Sequence, residues 1–205
     1  MKRAWFLLGL LSLACLCSPG SCFLFHIFED PAPERLFEIE ELLIGVSAFP
    51  ADWRVASPAA PEPHYDGAIT TQREDIQIGF KANSPALLVA GHRVYRFGAS
   101  WKAAAAYSEQ LPVQFNSNSV ASLTPWESPE ELPFESAVAD QFHFACHVDA
   151  IGTPATVCLA MGQYQEYLVL FHTIMDTDYM TFADLERILV AVDERMALYL
   201  GKDTH

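Results

Sequence analysis

A chain of 205 residues, 51% of them hydrophobic, is the size of one domain able to bury about 70% of its unfolded surface. Its formal charge of −14 repels phosphate backbones and anionic lipid headgroups alike. Nucleic acid is thereby excluded as an expected partner.

Residues 1–14 open with Lys2 and Arg3 and continue as an apolar run from Ala4 to Ala14. The run is too short to cross a hydrocarbon core of roughly 30 Å, so it reads as the h-region of an export signal. Ser12-Leu13-Ala14-Cys15 sets a small residue before a cysteine, which resembles the lipobox of bacterial lipoproteins. Cys15 is then the expected lipid-bearing residue. Ser12 stands where that pattern usually has Leu or Val, and the same residues also suit simple secretion or an uncleaved anchor. Loss of Lys2 and Arg3 with the signal takes the charge from −14 to −16. Nothing after residue 30 has 18 uninterrupted apolar residues, so the remainder is expected as a domain outside the cytoplasm.

Residues 15–35, broken by Pro19, Gly20, Pro31 and Pro33, read as a lipid-anchored tether, and residues 36–205 as a single globular extracytoplasmic domain. Within the tether, Cys17 and Cys22 could bridge or stay free; with His26 they lack a scaffold for a metal. Residues 36–43 are predicted as a short amphipathic helix and Trp53 to Ala56 as a brief first strand. Asp75 to Lys81 alternates polar and apolar residues as a half-buried strand does, and His92 to Phe97 is its antiparallel partner, with Gly91 and Gly98 as bulge or end positions.

Ser100 is the predicted cap of a helix from Trp101 to about Gln110, with Trp101, Ala104, Ala105 and Tyr107 toward the sheet. The stretch from Asn116 to Pro133 is polar and proline-marked, a surface loop or a lid. In it, Trp126, Glu127, Glu130 and Glu131 are candidate ligand contacts, although Trp126 could fold back and the glutamates could form a capped helical turn.

A three-stranded meander is predicted over Val138 to Val148, Thr156 to Met161 and Tyr167 to Ile174. A hairpin centred on Gly152 sets Cys146 opposite Cys158, because each lies six residues from the centre. Paired strand residues have Cα atoms roughly 4.5 to 5.5 Å apart, so an oxidising compartment would join the two as a disulfide. His143 and His147 share a strand face but stand roughly 13 Å apart, too far to hold one zinc. Asp176-Thr177-Asp178 lacks EF-hand spacing and reads as a turn, so no metal and no cofactor are expected. Thr181 to Asp184 opens a final helix whose stripe is Leu185, Ile188, Leu189, Val192, Met196 and Tyr199, ended by Gly201. The fold class is therefore α+β: an antiparallel sheet including the meander, with helices packed mainly on one face.

The export signal, the Cys146/Cys158 hairpin and the Met180 to Gly201 helix together resemble uncharacterised bacterial exported lipoproteins that carry one helix-backed antiparallel sheet. In plan the chain is also similar to the extracellular sensor domains of some bacterial receptor kinases. That resemblance implies a membrane-anchored location on the extracytoplasmic side of a cell envelope and brings no functional residues. Nucleophile elbows, phosphate loops, His-Glu-x-x-His and Cys-x-x-Cys motifs are absent from the sequence. A binding or interaction domain for a protein or small ligand is the leading expectation. An envelope hydrolase using Glu127, Glu130 and Glu131, and a structural accessory of an envelope complex, stand as alternatives.

Overall fold

The structure, a computed structural model, describes residues 32–61, 72–116, 122–150 and 153–202. The stretch expected to be an export signal and most of the expected tether, with Cys15, Cys17, Cys22 and His26, lie outside the described residues.

Six strands form one sheet: β1 Trp53–Ala60, β2 Glu74–Ala82, β3 Val89–Arg96, β4 Gln141–Asp149, β5 Ala155–Tyr164 and β6 Tyr167–Ile174. Their spatial order is β1-β2-β3-β6-β5-β4 and every pair is antiparallel, so two meanders meet along β3 and β6. Helix α1, Ser100–Gln114, follows the first meander, and α2, Phe182–Leu200, follows the second. Three strands and a helix thus occur twice in order, with no repeat visible in the residues. The α+β class and the C-terminal meander read from the sequence are the ones observed.

Side chains alternate across the pleat, which splits neighbouring residues between two cores. Ile76, Phe80, Val94, Phe144, Val169 and Phe171 face one side, where Leu185, Ile188, Leu189, Val192 and Met196 of α2 close the main core. The 3-10 turns Ile39–Leu42 and Val46–Ala48 complete that layer. Tyr95, Met161, Leu168 and Leu170 face the other side and pack on Ala103, Ala106 and Tyr107 of α1. Helical cover therefore lies mainly on one face, with α1 on the opposite one.

Local detail departs from the sequence reading in four places. Within residues 36–43 only Ile39–Leu42 coils, as a single 3-10 turn, because the backbone becomes extended at Leu43 and so buries Leu42, Leu43 and Ile44 in succession. Strand β1 runs on to Ala60, since Pro58 sits on a sheet edge where no ladder N–H is needed; two register shifts bend it there. In α1 Ala105 is exposed and Ala103 and Ala106 face the sheet. An alanine run offers the same side chain at every phase, so the position of Tyr107 decides which alanines turn inward. Ala99 rather than Ser100 is the N-cap, and α1 passes through Pro112 in its last turn, at the cost of one helical hydrogen bond. In α2 the reading holds: the Asp184 N–H donates to Thr181 Oγ1 at 3.2 Å, and Gly201 at φ 64° ends the helix in a left-handed conformation.

Cys146 is paired directly with Cys158 across β4 and β5, with Cα atoms 4.0 Å apart and the sulfurs bonded. Both are buried against the main core. A closed loop this short restricts the unfolded chain by an amount worth about 3 kcal/mol. The C146S/C158S variant is therefore expected to unfold in urea with its stability lowered by about that amount, yet remain cooperative.

A buried carboxylate ties the segment before β4 to α2. Asp193 accepts from Tyr164 Oη at 2.8 Å, from Ser136 Oγ at 2.7 Å and from the Ala137 N–H at 3.2 Å. Burial, with Asp193 beside it, holds the Tyr164 phenol well above its ordinary pKa. Asp193→Ala strands three donors and is expected to cost about 2 to 3 kcal/mol by denaturant unfolding. Asn in place of Asp193, which keeps an acceptor, is expected to cost less.

Residues 32–35 are docked on this framework. Ala32 N–H donates to Gly98 O at 2.9 Å, Arg96 Nη2 to Pro33 O at 3.2 Å, and Arg35 forms a forked pair with Glu166 at 2.7 and 2.8 Å.

Candidate functional site

Helix α1 covers only part of its face of the sheet. That face carries Gln77 and Gly79 of β2, Gly91 and Arg93 of β3, Leu170 and His172 of β6, and Val157 and Leu159 of β5; Gly91, Leu159 and Leu170 are buried and the others half-buried. The pairing aligns Ser57, Gly79, Gly91, His172 and Leu159 in one row across five strands. Gln77, Arg93 and Leu170 make the next row.

These rows floor a shallow groove in two adjoining parts. One part, of about 280 Å³, is lined by Arg93, Gln114, Trp126, Val157, Leu159, Leu170 and His172. The other, of about 230 Å³, shares Arg93 and His172 and reaches Ser57, Gln77, Gly79 and Gly91. Each part by itself is somewhat smaller than the roughly 300 to 1,000 Å³ of small-molecule sites, and the two share Arg93 and His172.

Gly91 is what lets the groove form. The His172 imidazole lies across it, and a Cβ at position 91 would overlap the ring. Gly79 is next in the row, and a Cβ there would press on Ser57. A glycine inside a strand marks such a close approach, and this signal was present in the sequence, where Gly91 read as a bulge or an end.

The electrostatics separate two roles. Burial, aided by the Arg93 charge, lowers the His172 pKa from 6.5 to about 4, so its ring is neutral at pH 7 and serves as a hydrogen-bonding group. Arg93 adds a guanidinium to the lining of both parts. On the rim, the Trp126 indole stacks on His147 with ring centroids 3.9 Å apart and meets the edge of Phe115 at 5.2 Å. Phe115 in turn abuts His143 at 4.4 Å. Burial lowers the pKa of both His143 and His147. His147 Nδ1 also shares a hydrogen bond of 2.9 Å with Ser122 Oγ.

The loop that carries Trp126 is laid along the outer edge of β4. Backbone bonds of 3.0 and 2.9 Å join Glu127 to Cys146, and the Leu123 N–H donates to Val148 O at 2.8 Å. Trp126 is thus folded back and half-buried, while Glu127, Glu130 and Glu131 are exposed and line neither part of the groove. Glu130 and Glu131 sit in a tight turn, closed by the Leu132 N–H donating to Pro129 O at 3.2 Å. Of the four candidate contacts, the structure brings Trp126 to the groove and leaves the three carboxylates apart from it. Arg93, His172 and Gln77 are groove residues that the sequence reading did not single out, and Gly91 it placed only as a bulge or end position.

Among the described residues, no group of three or more His, Cys, Asp or Glu side chains is placed to hold a metal ion. No described helix is long and apolar enough to cross a membrane. No family model matches this chain, and neither a curated protein nor a solved structure matches it.

Proposed function

We propose that this chain is an exported domain, anchored by lipid at Cys15, that binds a small ligand or a segment of a partner protein in the groove over β2, β3, β6 and β5. The observation that carries the binding reading is the open half of the α1 face. It leaves Gln77, Arg93, Val157 and His172 half-buried on a strip of sheet, with Trp126 at its rim. The chemistry favoured is a planar or aliphatic body that stacks against Trp126 and Val157 and takes hydrogen bonds from groups such as His172 and Gln77.

The export part of the reading rests on the basic start, the apolar run and the Ala14-Cys15 junction. More than one acyl chain is required for stable anchoring, each buried methylene contributing about 0.8 kcal/mol. Cells expressing the chain and fed an alkyne fatty acid should label it, and Cys15→Ser should abolish the label. A labelled Cys15→Ser protein would remove lipidation at this cysteine.

Binding is tested with the purified protein and its W126A and R93Q variants, each challenged with envelope extracts and a panel of small planar and aliphatic compounds. A species retained by the wild type and lost from both variants supports the groove. Retention unchanged in both variants, or no retained species at all, removes it.

A further inference from the structure

We infer that α2 is also a self-association surface, on which a second copy of this chain docks its own α2 antiparallel about a two-fold axis between Val190 and Ala191. The inner stripe of α2 is spent on the main core. Its outer stripe carries Ala183, Arg187, Val190, Ala191, Glu194 and Leu198, spaced three, four or one apart so that all lie on one helical face. Leu198 is 74% exposed and Val190 41%, two large aliphatic side chains left in water on the outside of a helix. Beside them runs a trough of about 600 Å³, walled by the small residues Gly45, Ser47 and Ala48. Small residues on that wall let a second helix come close.

The order of charges along the stripe identifies the occupant. In an antiparallel two-fold pair with its axis between residues 190 and 191, Val190 meets its own copy on one side of the axis and Ala191 its own copy on the other. Arg187 then stands opposite Glu194 of the second copy, and Glu194 opposite that copy's Arg187. Leu198 meets the small Ala183. Each charge finds its opposite and each large aliphatic finds an aliphatic or small partner, the self-complementarity that an isologous interface demands. An unrelated partner would not require the stripe to be complementary to itself under reversal. Within its own chain Arg187 pairs with Asp184 at 2.9 Å while more than half exposed, so its guanidinium is held on the helix surface and remains in reach of a second helix.

The experiment uses the full chain in density-matched detergent, studied by sedimentation velocity, with R187E, E194R and the double variant R187E/E194R. The wild type is expected to sediment as a dimer at micromolar concentration. Each single reversal sets like charges together twice per dimer and should weaken association by about tenfold or more, and the double variant should restore it. A V190C variant oxidised mildly should yield a tryptic peptide of residues 188–195 disulfide-bonded to itself. A monomeric wild type at 100 micromolar (an assay concentration), single reversals without effect, no rescue in the double variant, or no self-linked 188–195 peptide would each overturn the inference. Circular dichroism of every variant separates loss of pairing from loss of fold.

Discussion

Replacing Arg35 with methionine is expected to lower the stability of the folded chain by about 3 to 5 kcal/mol in urea unfolding. The reason is the state in which it leaves Glu166. That side chain is 0% exposed, and Arg35, itself 13% exposed, supplies it with hydrogen bonds of 2.7 and 2.8 Å from Nε and Nη2. The same Nη2 donates to Gln165 Oε1 at 2.6 Å, so one guanidinium holds both residues of the β5–β6 turn. Gln165 occupies that turn at φ 55°, a left-handed conformation that a side-chain-bearing residue adopts only when its surroundings impose it. Removing the arginine strands a buried carboxylate, which costs far more than the pair itself is worth. The R35M/E166M variant, with no charge left to strand, should recover most of the loss. A single R35M variant as stable as the wild type would show that Glu166 finds another partner, and the docking of residues 32–35 would lose its energetic basis.

Acid should destabilise the domain through His92, with a window set by its displaced pKa. The imidazole is fully buried on the main-core face of β3, where Nδ1 accepts from the Ile44 N–H at 3.2 Å and Nε2 has no partner. Burial, with the Arg195 charge added, lowers its pKa from 6.5 to about 3. The unfolded chain therefore takes up a proton near pH 6.5 that the folded chain refuses until about pH 3. Stability from this group is complete above pH 6.5 and falls as pH drops, by up to about 1.4 kcal/mol per pH unit. His172, lowered to about 4, adds to the loss in the same direction and ceases to add sooner. Urea unfolding between pH 4 and pH 7 (assay conditions) should show this slope, and His92→Gln, which keeps an acceptor for Ile44, should reduce it by about one proton. An unaltered slope in His92→Gln would show that His92 is not the group responsible.

The two effects share an origin that bears on the proposed site. Glu166 and His92 are polar groups enclosed by segments distant in sequence, one by Arg35 and one by the chain at Ile44. The groove is the opposite case: Arg93 and His172 stay partly open because α1 ends its cover short of them. A domain that spends buried polar groups on fixing its strands and leaves one strip of sheet uncovered has a rigid framework on which a ligand can be held.

Much of the architecture was legible in the residues, and the reasons are local. Two-residue alternation in Asp75 to Lys81 and in Phe142 to Val148 marks strands whatever lies around them, and the stripe from Leu185 to Met196, capped by Thr181 and Gly201, marks a helix by its own spacing. The Cys146/Cys158 pairing followed from symmetry about one turn. The groove was not legible, because Gly79, Gly91, Arg93 and His172 become neighbours only when β3 pairs with β6, a contact about 80 residues apart in sequence that no local pattern encodes. Nor could the sequence place Trp126, since a backbone lying along the β4 edge, not any property of indole, turned it toward the domain. The sequence by itself determined the strands, the final helix and the cysteine register, because those follow from short-range periodicity. Only the tertiary structure decided which face α1 would cover and where it would stop, because that depends on the competition of two sheet faces for the same few apolar side chains.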